Sequence, residues 1–278
     1  MPFIGIQSGR EHLFRPQPRR TVAVNDTGAW RLNPDHRQVY DKLDLALAAG
    51  LRAAPCGVDP RDCGIAAGES LFVKPIVNLA GMGLNARSVA ADRVPMEPGS
   101  FWCERLTGEH TSSDCLVRDG RALWFAHTRA SAAKDRERPL YWEVGVELAD
   151  LEPVVAGWVE RLLPGYTGLC NLEMIGGQPI EMHLRGSNGF LDLYGTRFLP
   201  AWVALVDGES AEPPPSVPGG LVISLFGEDP PPADRVERIR EAGGQLQWDA
   251  HTPDRSAIVR CHDRGSGLRL VRDLGLDG

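Results

Sequence analysis

Residues 169–185 (Leu-Cys-Asn-Leu-Glu-Met-Ile-Gly-Gly-Gln-Pro-Ile-Glu-Met-His-Leu-Arg) restrict the fold more than any other stretch of this chain. Gly176 and Gly177 break two short apolar runs, and glycine supplies the positive φ that a tight hairpin needs. A three-residue loop at Gly176–Gln178 predicts that Met174 faces Ile180 and that Glu173 lies directly across from Glu181. Facing side chains in such a pair sit about 4.5–5.5 Å apart. Two carboxylates that close repel unless one is protonated or a cation lies between them. Strand alternation puts His183 and Arg185 on the face of Glu181 and turns Met182 and Leu184 into the core. On the hairpin alone, a solvated polar strand face explains these charges equally well.

The whole chain narrows the choice. Its 278 residues suffice for one large domain or two ordinary ones. A net charge of −7 argues against a general nucleic-acid binder. No apolar run approaches the roughly 18–20 residues of a membrane helix, and Met1-Pro2-Phe3-Ile4-Gly5 lacks a signal-peptide pattern. Six cysteines are scattered at positions 56, 63, 103, 115, 170 and 261 without a Cys-x-x-Cys pair. The expectation is reduced thiols, a cytoplasmic setting, no membrane and no nucleic acid.

Residues 1–35 read as irregular apart from a short strand at Thr21–Val24, and Asn33-Pro34-Asp35 opens a helix that carries Lys42 and ends at Gly50. A Pro/Gly/Asp loop covers 55–70. Ser70–Ile76 is a strand ending in Lys74-Pro75, followed by a loop holding Gly81, Met82 and Gly83, whose backbone N–H groups suit phosphate oxygens. A strand at 100–103 leads through Glu104, Arg105 and Leu106 to Glu109 and His110; Asp119-Gly120 then turns the chain into a strand over 121–126. Residues 128–141 read as a charged surface loop and 151–163 as an amphipathic helix. Residues 208–219 are a Pro-rich linker, and β-α-β-β-α over 220–278 predicts a small subdomain laid on the main sheet. Trp102, Trp158 and Trp202 belong to the core, and His127, His251 and His262 show no partner at metal spacing.

Taken in order, Asp41-Lys42-Leu43, Phe72-Val73-Lys74-Pro75, the glycine loop, Trp102 to His110, Asn171-Leu172-Glu173 and Ile180 to Arg185 resemble the ATP-grasp superfamily over roughly residues 40–190. The resemblance is to the ATP-binding part of D-alanine–D-alanine ligases and, more loosely, of biotin carboxylase. It implies an α+β class, the ATP-grasp fold of two α+β subdomains gripping ATP. The region spans 41–207, after a short N-terminal segment (1–40) and before the linker and C-terminal α/β subdomain. It also implies that Lys42 and Lys74 meet the α- and β-phosphates and that the Gly81–Gly83 loop closes over them. Backbone groups of Glu104, Arg105 and Leu106 would form the adenine hinge, and either Glu109 or His110 would hold the ribose. Glu173 and Glu181 would carry the metal ions and Arg185 would stabilise the transferring phosphate.

Two departures stand out. The metal strand reads Glu-x-His, where the superfamily has Glu-x-Asn, so His183 either shifts the metal from Mg²⁺ toward Mn²⁺, binds substrate or marks lost activity. Only 41 residues precede Lys42, where a leading substrate-binding domain is usual. That implies a small substrate, a pocket completed by another subunit as in a homodimer, or an acceptor held on a partner protein. The expected activity is an ATP- and metal-dependent carboxylate–amine ligase working through an acyl-phosphate, with Ser187 and Asn188 as substrate contacts. The alternatives are a non-catalytic nucleotide-binding module and a kinase on the same scaffold.

Overall fold

The computed structural model describes residues 2–81, 83–187, 189–210, 212–215, 217–227, 230–249, 252 and 254–277. Met82, Asn188 and His251, singled out above, lie outside the described residues. The chain opens with a two-residue strand β1 (Phe3–Ile4) parallel to β2 (Val22–Ala23). Helix α1 (Asp26–Leu32) follows, capped by Asn25, whose side chain accepts from Gly28 N at 3.0 Å. This helix lies inside the segment read as irregular from sequence. The single helix expected from Asn33 to Gly50 is instead a 3-10 stretch (Pro34–Tyr40) and α2 (Lys42–Ala48). Asp41 separates them, because its side chain accepts from Asp44 N at 2.9 Å and starts a new helix.

Strands β3 (Ala53–Pro55), β4 (Ser70–Pro75), β5 (Arg87–Ala90) and β6 (Ser100–Glu104) form a sheet in the order β3-β6-β4-β5. Trp102, wholly buried, anchors its outer layer with Leu71 and Val73. The second sheet is built from β7 (His110–Arg118), β8 (Arg121–Ala130), β11 (Tyr141–Val144), β12 (Gly168–Ile175), β13 (Gln178–His183), β14 (Gly220–Phe226), β15 (Gln245–Trp248) and β16 (Arg255–Cys261). It is antiparallel throughout, in the order β13-β12-β7-β8-β11-β14-β16-β15. The small strands β9 (Lys134–Asp135) and β10 (Arg138–Pro139) make a ribbon that, with β11, replaces the surface loop expected over 128–141.

Alternation along these strands sorts the eight-stranded sheet into two faces. On one, Cys170, Leu172, Met174, Met182 and Leu184 pack on α3 (Glu152–Leu162). Further along the same side, Leu221, Ile223, Ala257 and Val259 pack on α5 (Ala233–Glu241) and α6 (Arg264–Asp273). On the other, Leu116, Trp124 and Leu169 are covered by α4 (Phe198–Val206), with Phe198 and Trp202 deep inside. The C-terminal elements form where the sequence placed them, but β14 pairs with β11, so they continue the main sheet. No helix among the described residues is long and apolar enough to cross a membrane.

The Gly176-Gly177 turn is joined to the segment after β6. Gly176 has φ +57°, and a Cβ added there would lie 2.3 Å from Thr107 O; one added at Gly108 would lie 2.9 Å from Gly176 Cα. Gly176→Ala therefore combines a disfavoured φ with a backbone clash, and it should cost about 2 kcal/mol or more in urea unfolding. An unchanged midpoint would show that the turn moves away freely.

Candidate functional site

Glu173 and Glu181 face each other across β12–β13, as the sequence requires. The turn, however, is two residues long: Ile175 pairs with Gln178 and Met174 with Pro179 rather than Ile180. A bulge after Glu173 absorbs the extra residue and restores the carboxylate pair. Met182 and Leu184 are buried, while Glu181, His183 and Arg185 turn to the opposite face.

That face forms one wall of a cavity of about 1040 Å³, and the four-stranded sheet forms the wall opposite. Lys42, first residue of α2, and Lys74, near the end of β4, enter from that second wall, 5% and 8% exposed. Lys42 forms an ion pair with Glu181, and Lys74 Nζ donates to Ile180 O at 2.9 Å. Burial lowers the pKa of both lysines, and for Lys42 the repulsion of Lys74 adds to it. Two desolvated ammonium groups side by side are a built-in demand for anionic charge.

Sequence reasoning missed Asp26, which is 5% exposed at the start of α1. Its Oδ1 accepts from His183 Nδ1 at 2.9 Å, and its Oδ2 accepts from Arg185 Nε and Nη2 at 3.0 and 2.7 Å. Burial alone would raise its pKa; Arg185 and His183 outweigh that and hold it well below the carboxylate range. The only local signal is an Asx cap, Asn25-Asp26, and a cap says nothing of partners more than 150 residues away.

Burial would likewise raise Glu173, but the His110 Nε2 bond at 3.3 Å and the charges of His110, His183 and Arg185 bring it down to about 2. An unfolded glutamate titrates near 4.5, so the folded state stays ionised where the unfolded one takes a proton. Stability from Glu173 is present above pH 4.5 and is lost as pH falls toward 2, by at most about 3 kcal/mol. Glu173→Gln should flatten that part of the acid-unfolding curve. A variant curve parallel to wild type between pH 4.5 and 2 would remove Glu173 as its source.

The remaining candidates divide. Gly81 and Gly83 line the cavity with φ of +74° and +58°, and Asn78 ties their loop through Gly81 O and Ala80 N, both at 2.9 Å. Glu104, Arg105 and Leu106 line it too; the Glu104 side chain is occupied by Arg52 and that of Arg105 by Glu137, which leaves main chain for a ligand. Of the ribose alternatives, His110 lines the cavity, whereas exposed Glu109 pairs with Arg129. Ser187 lines it as well, with N and Oγ donating to Asp114 at 2.7 and 3.1 Å. Asp114 is fully buried and also accepts from Asn171 Nδ2 and Tyr194 OH at 2.7 and 2.9 Å. Burial still pushes its pKa up against these donors.

Among the described residues, Glu173, Glu181 and His183 bring donor atoms within 4.8 Å of one another. Two carboxylates and an imidazole suit a divalent cation; in the metal-free protein Lys42 pairs with Glu181 and His110 bonds Glu173. All six cysteines are free.

No family model and no curated protein matches the chain in sequence. Solved structures do match in three dimensions. An L-amino acid ligase from Bacillus licheniformis aligns over 86% of this chain and 71% of its own, at 13% identity and a TM-score of 0.59. A phosphoribosylamine–glycine ligase from Thermotoga maritima covers 92% and 79%, at 12% identity and 0.57. A carboxyaminoimidazole ribonucleotide synthase from Aspergillus clavatus, complexed with ATP, covers 86% and 72%, at 10% identity and 0.59. At these identities the likeness establishes a common fold.

Proposed function

We propose that this chain, which has the fold of the ATP-grasp ligases, is an ATP- and divalent-metal-dependent ligase joining a carboxylate to an amine. One observation carries this most: Lys42, Lys74, Glu173, Glu181 and Arg185 converge on one cavity, which at about 1040 Å³ has room for a nucleotide and small substrates. Lys42 and Lys74 hold the phosphates, and the Gly81–Gly83 loop covers them. Main-chain groups of residues 104–106 meet the adenine, and His110 meets the ribose. Glu173 and Glu181 hold the cation, which when bound neutralises phosphate oxygens.

The carboxylate oxygen attacks the γ-phosphorus and the bond to ADP breaks, giving an acyl-phosphate. The amine nitrogen then attacks the acyl carbon, phosphate leaves with the bonding pair, and the amine gives up its proton. Arg185, fixed by Asp26, stands where negative charge gathers on the transferring group, and Ser187 meets the substrate. Residues 41–207 grip the nucleotide, and 220–278 extend the sheet past the 208–219 linker. The setting is cytoplasmic, and the acceptor is a free small molecule or one carried by a partner protein or second copy.

The test is ADP release with panels of carboxylates and amines, with the products identified by mass. ADP and amide appearing only when both substrates are present supports the ligase. ADP with a phosphoester makes the chain a kinase, and no ADP from a protein that binds a non-hydrolysable analogue makes it a binding module.

A further inference from the structure

We infer that the metal site selects a first-row transition cation, represented by Mn²⁺, over Mg²⁺. His183 Nε2 is the discriminating ligand and Asp26 is its positioning residue. The inference rests on the carboxylate pair as a metal site but adds a donor and a selectivity to it. His183 is 2% exposed, and Tyr40 packs edge-on to its ring with centroids 6.0 Å apart. One nitrogen is already committed: Nδ1 lies 2.9 Å from Asp26 Oδ1, and Asp26 Oδ2 takes two N–H groups of Arg185.

Asp26 is a carboxylate in this bonding pattern and only accepts, so the proton of the bond sits on Nδ1. Nε2 is the free ring position: Glu181 Oε2 lies 3.5 Å from it, Glu173 completes the cluster within 4.8 Å, and a bound cation takes the Nε2 lone pair while Nδ1–H stays on Asp26. In the metal-free protein a proton on Nε2 can bridge to Glu181; a divalent cation takes that proton's place between imidazole and carboxylates. A carboxylate behind a ligating imidazole fixes its tautomer and strengthens it as a donor. Mg²⁺ demands an octahedron of oxygens and holds its water, so a rigid nitrogen in its shell is a handicap; Mn²⁺ and its neighbours accept imidazole readily. The selectivity is therefore set by a residue that a Mg²⁺ site does not need.

Pulsed EPR on wild-type protein with Mn²⁺ alone, then with a non-hydrolysable ATP analogue, reads the ligand directly. The expected result is a directly coordinated ¹⁴N, lost in His183→Asn, which offers oxygen instead. Calorimetry should show Mn²⁺ binding at least about tenfold tighter than Mg²⁺ in wild type, with the ratio collapsing toward one in His183→Asn. Asp26→Asn should weaken Mn²⁺ more than Mg²⁺ while keeping some ¹⁴N coupling. Bound Mn²⁺ without ¹⁴N coupling, or equal affinity for both ions in wild type, overturns the inference and leaves the ligase intact. Mn²⁺ held through nitrogen with no analogue binding in any metal overturns the ligase and leaves the inference standing. The wild-type spectrum decides the ligand even where a variant fails to fold.

Discussion

Glu181→Gln should lower ADP release by about a thousandfold or more while leaving a folded protein, measured as kcat with saturating ATP and confirmed by thermal unfolding. The side chain keeps its volume and loses its charge. That charge faces Glu173, pairs with Lys42 and lies 3.5 Å from His183. Under the proposed assignment the cation would lose one of two carboxylates, and Lys42 is left buried with its ion pair broken. Binding of a non-hydrolysable ATP analogue should then lose its dependence on divalent metal. Turnover within about threefold of wild type would remove Glu181 from the site, because no peripheral carboxylate carries a transition-state contribution of that size.

Asp114→Ala should destabilise the protein by about 3–5 kcal/mol, read from urea unfolding at neutral pH, whether or not a nucleotide is present. Asp114 is 1% exposed and accepts from Ser187 N, Ser187 Oγ, Asn171 Nδ2 and Tyr194 OH. Alanine removes the acceptor that these donors share, stranding the buried Tyr194 hydroxyl and leaving Asn171 Nδ2 only Ser112 and Ser187. It also frees Ser187, so any surviving protein should show a raised KM for the small substrate with little change for ATP. Asn at this position keeps acceptor capacity and should recover part of the stability. A loss below about 1 kcal/mol for alanine would mean that the network relaxes.

The hairpin was legible because its determinants are local: glycines fix the turn, and alternation fixes which residues share a face. Even the error of one residue in the loop left the carboxylate pair intact, since a bulge compensated. The C-terminal helices and strands were legible for the same reason. Their continuity with the main sheet was not, because it depends on β11, whose four residues sit behind a charged ribbon that reads as loop. Asp26 was hidden more deeply. Asn-Asp-Thr-Gly is turn chemistry, and nothing local distinguishes a carboxylate bound for solvent from one that anchors His183 and Arg185. Lys42 and Lys74 were found through the order of motifs; their burial, which lowers their pKa values, came only with the sheets.

The partners in the site are also far apart in time. Asp26, Lys42 and Lys74 are made first, and the groups that neutralise or bind them, on residues 180–185, are made more than a hundred residues later. Burying those early charges without their counterparts is costly, so their enclosure depends on β13. Such long sequence separations slow folding, and the hairpin supplies the late-made half of each of these pairs. Loss of its charges would then be felt in how long the newborn chain remains exposed as well as in what the finished protein can do.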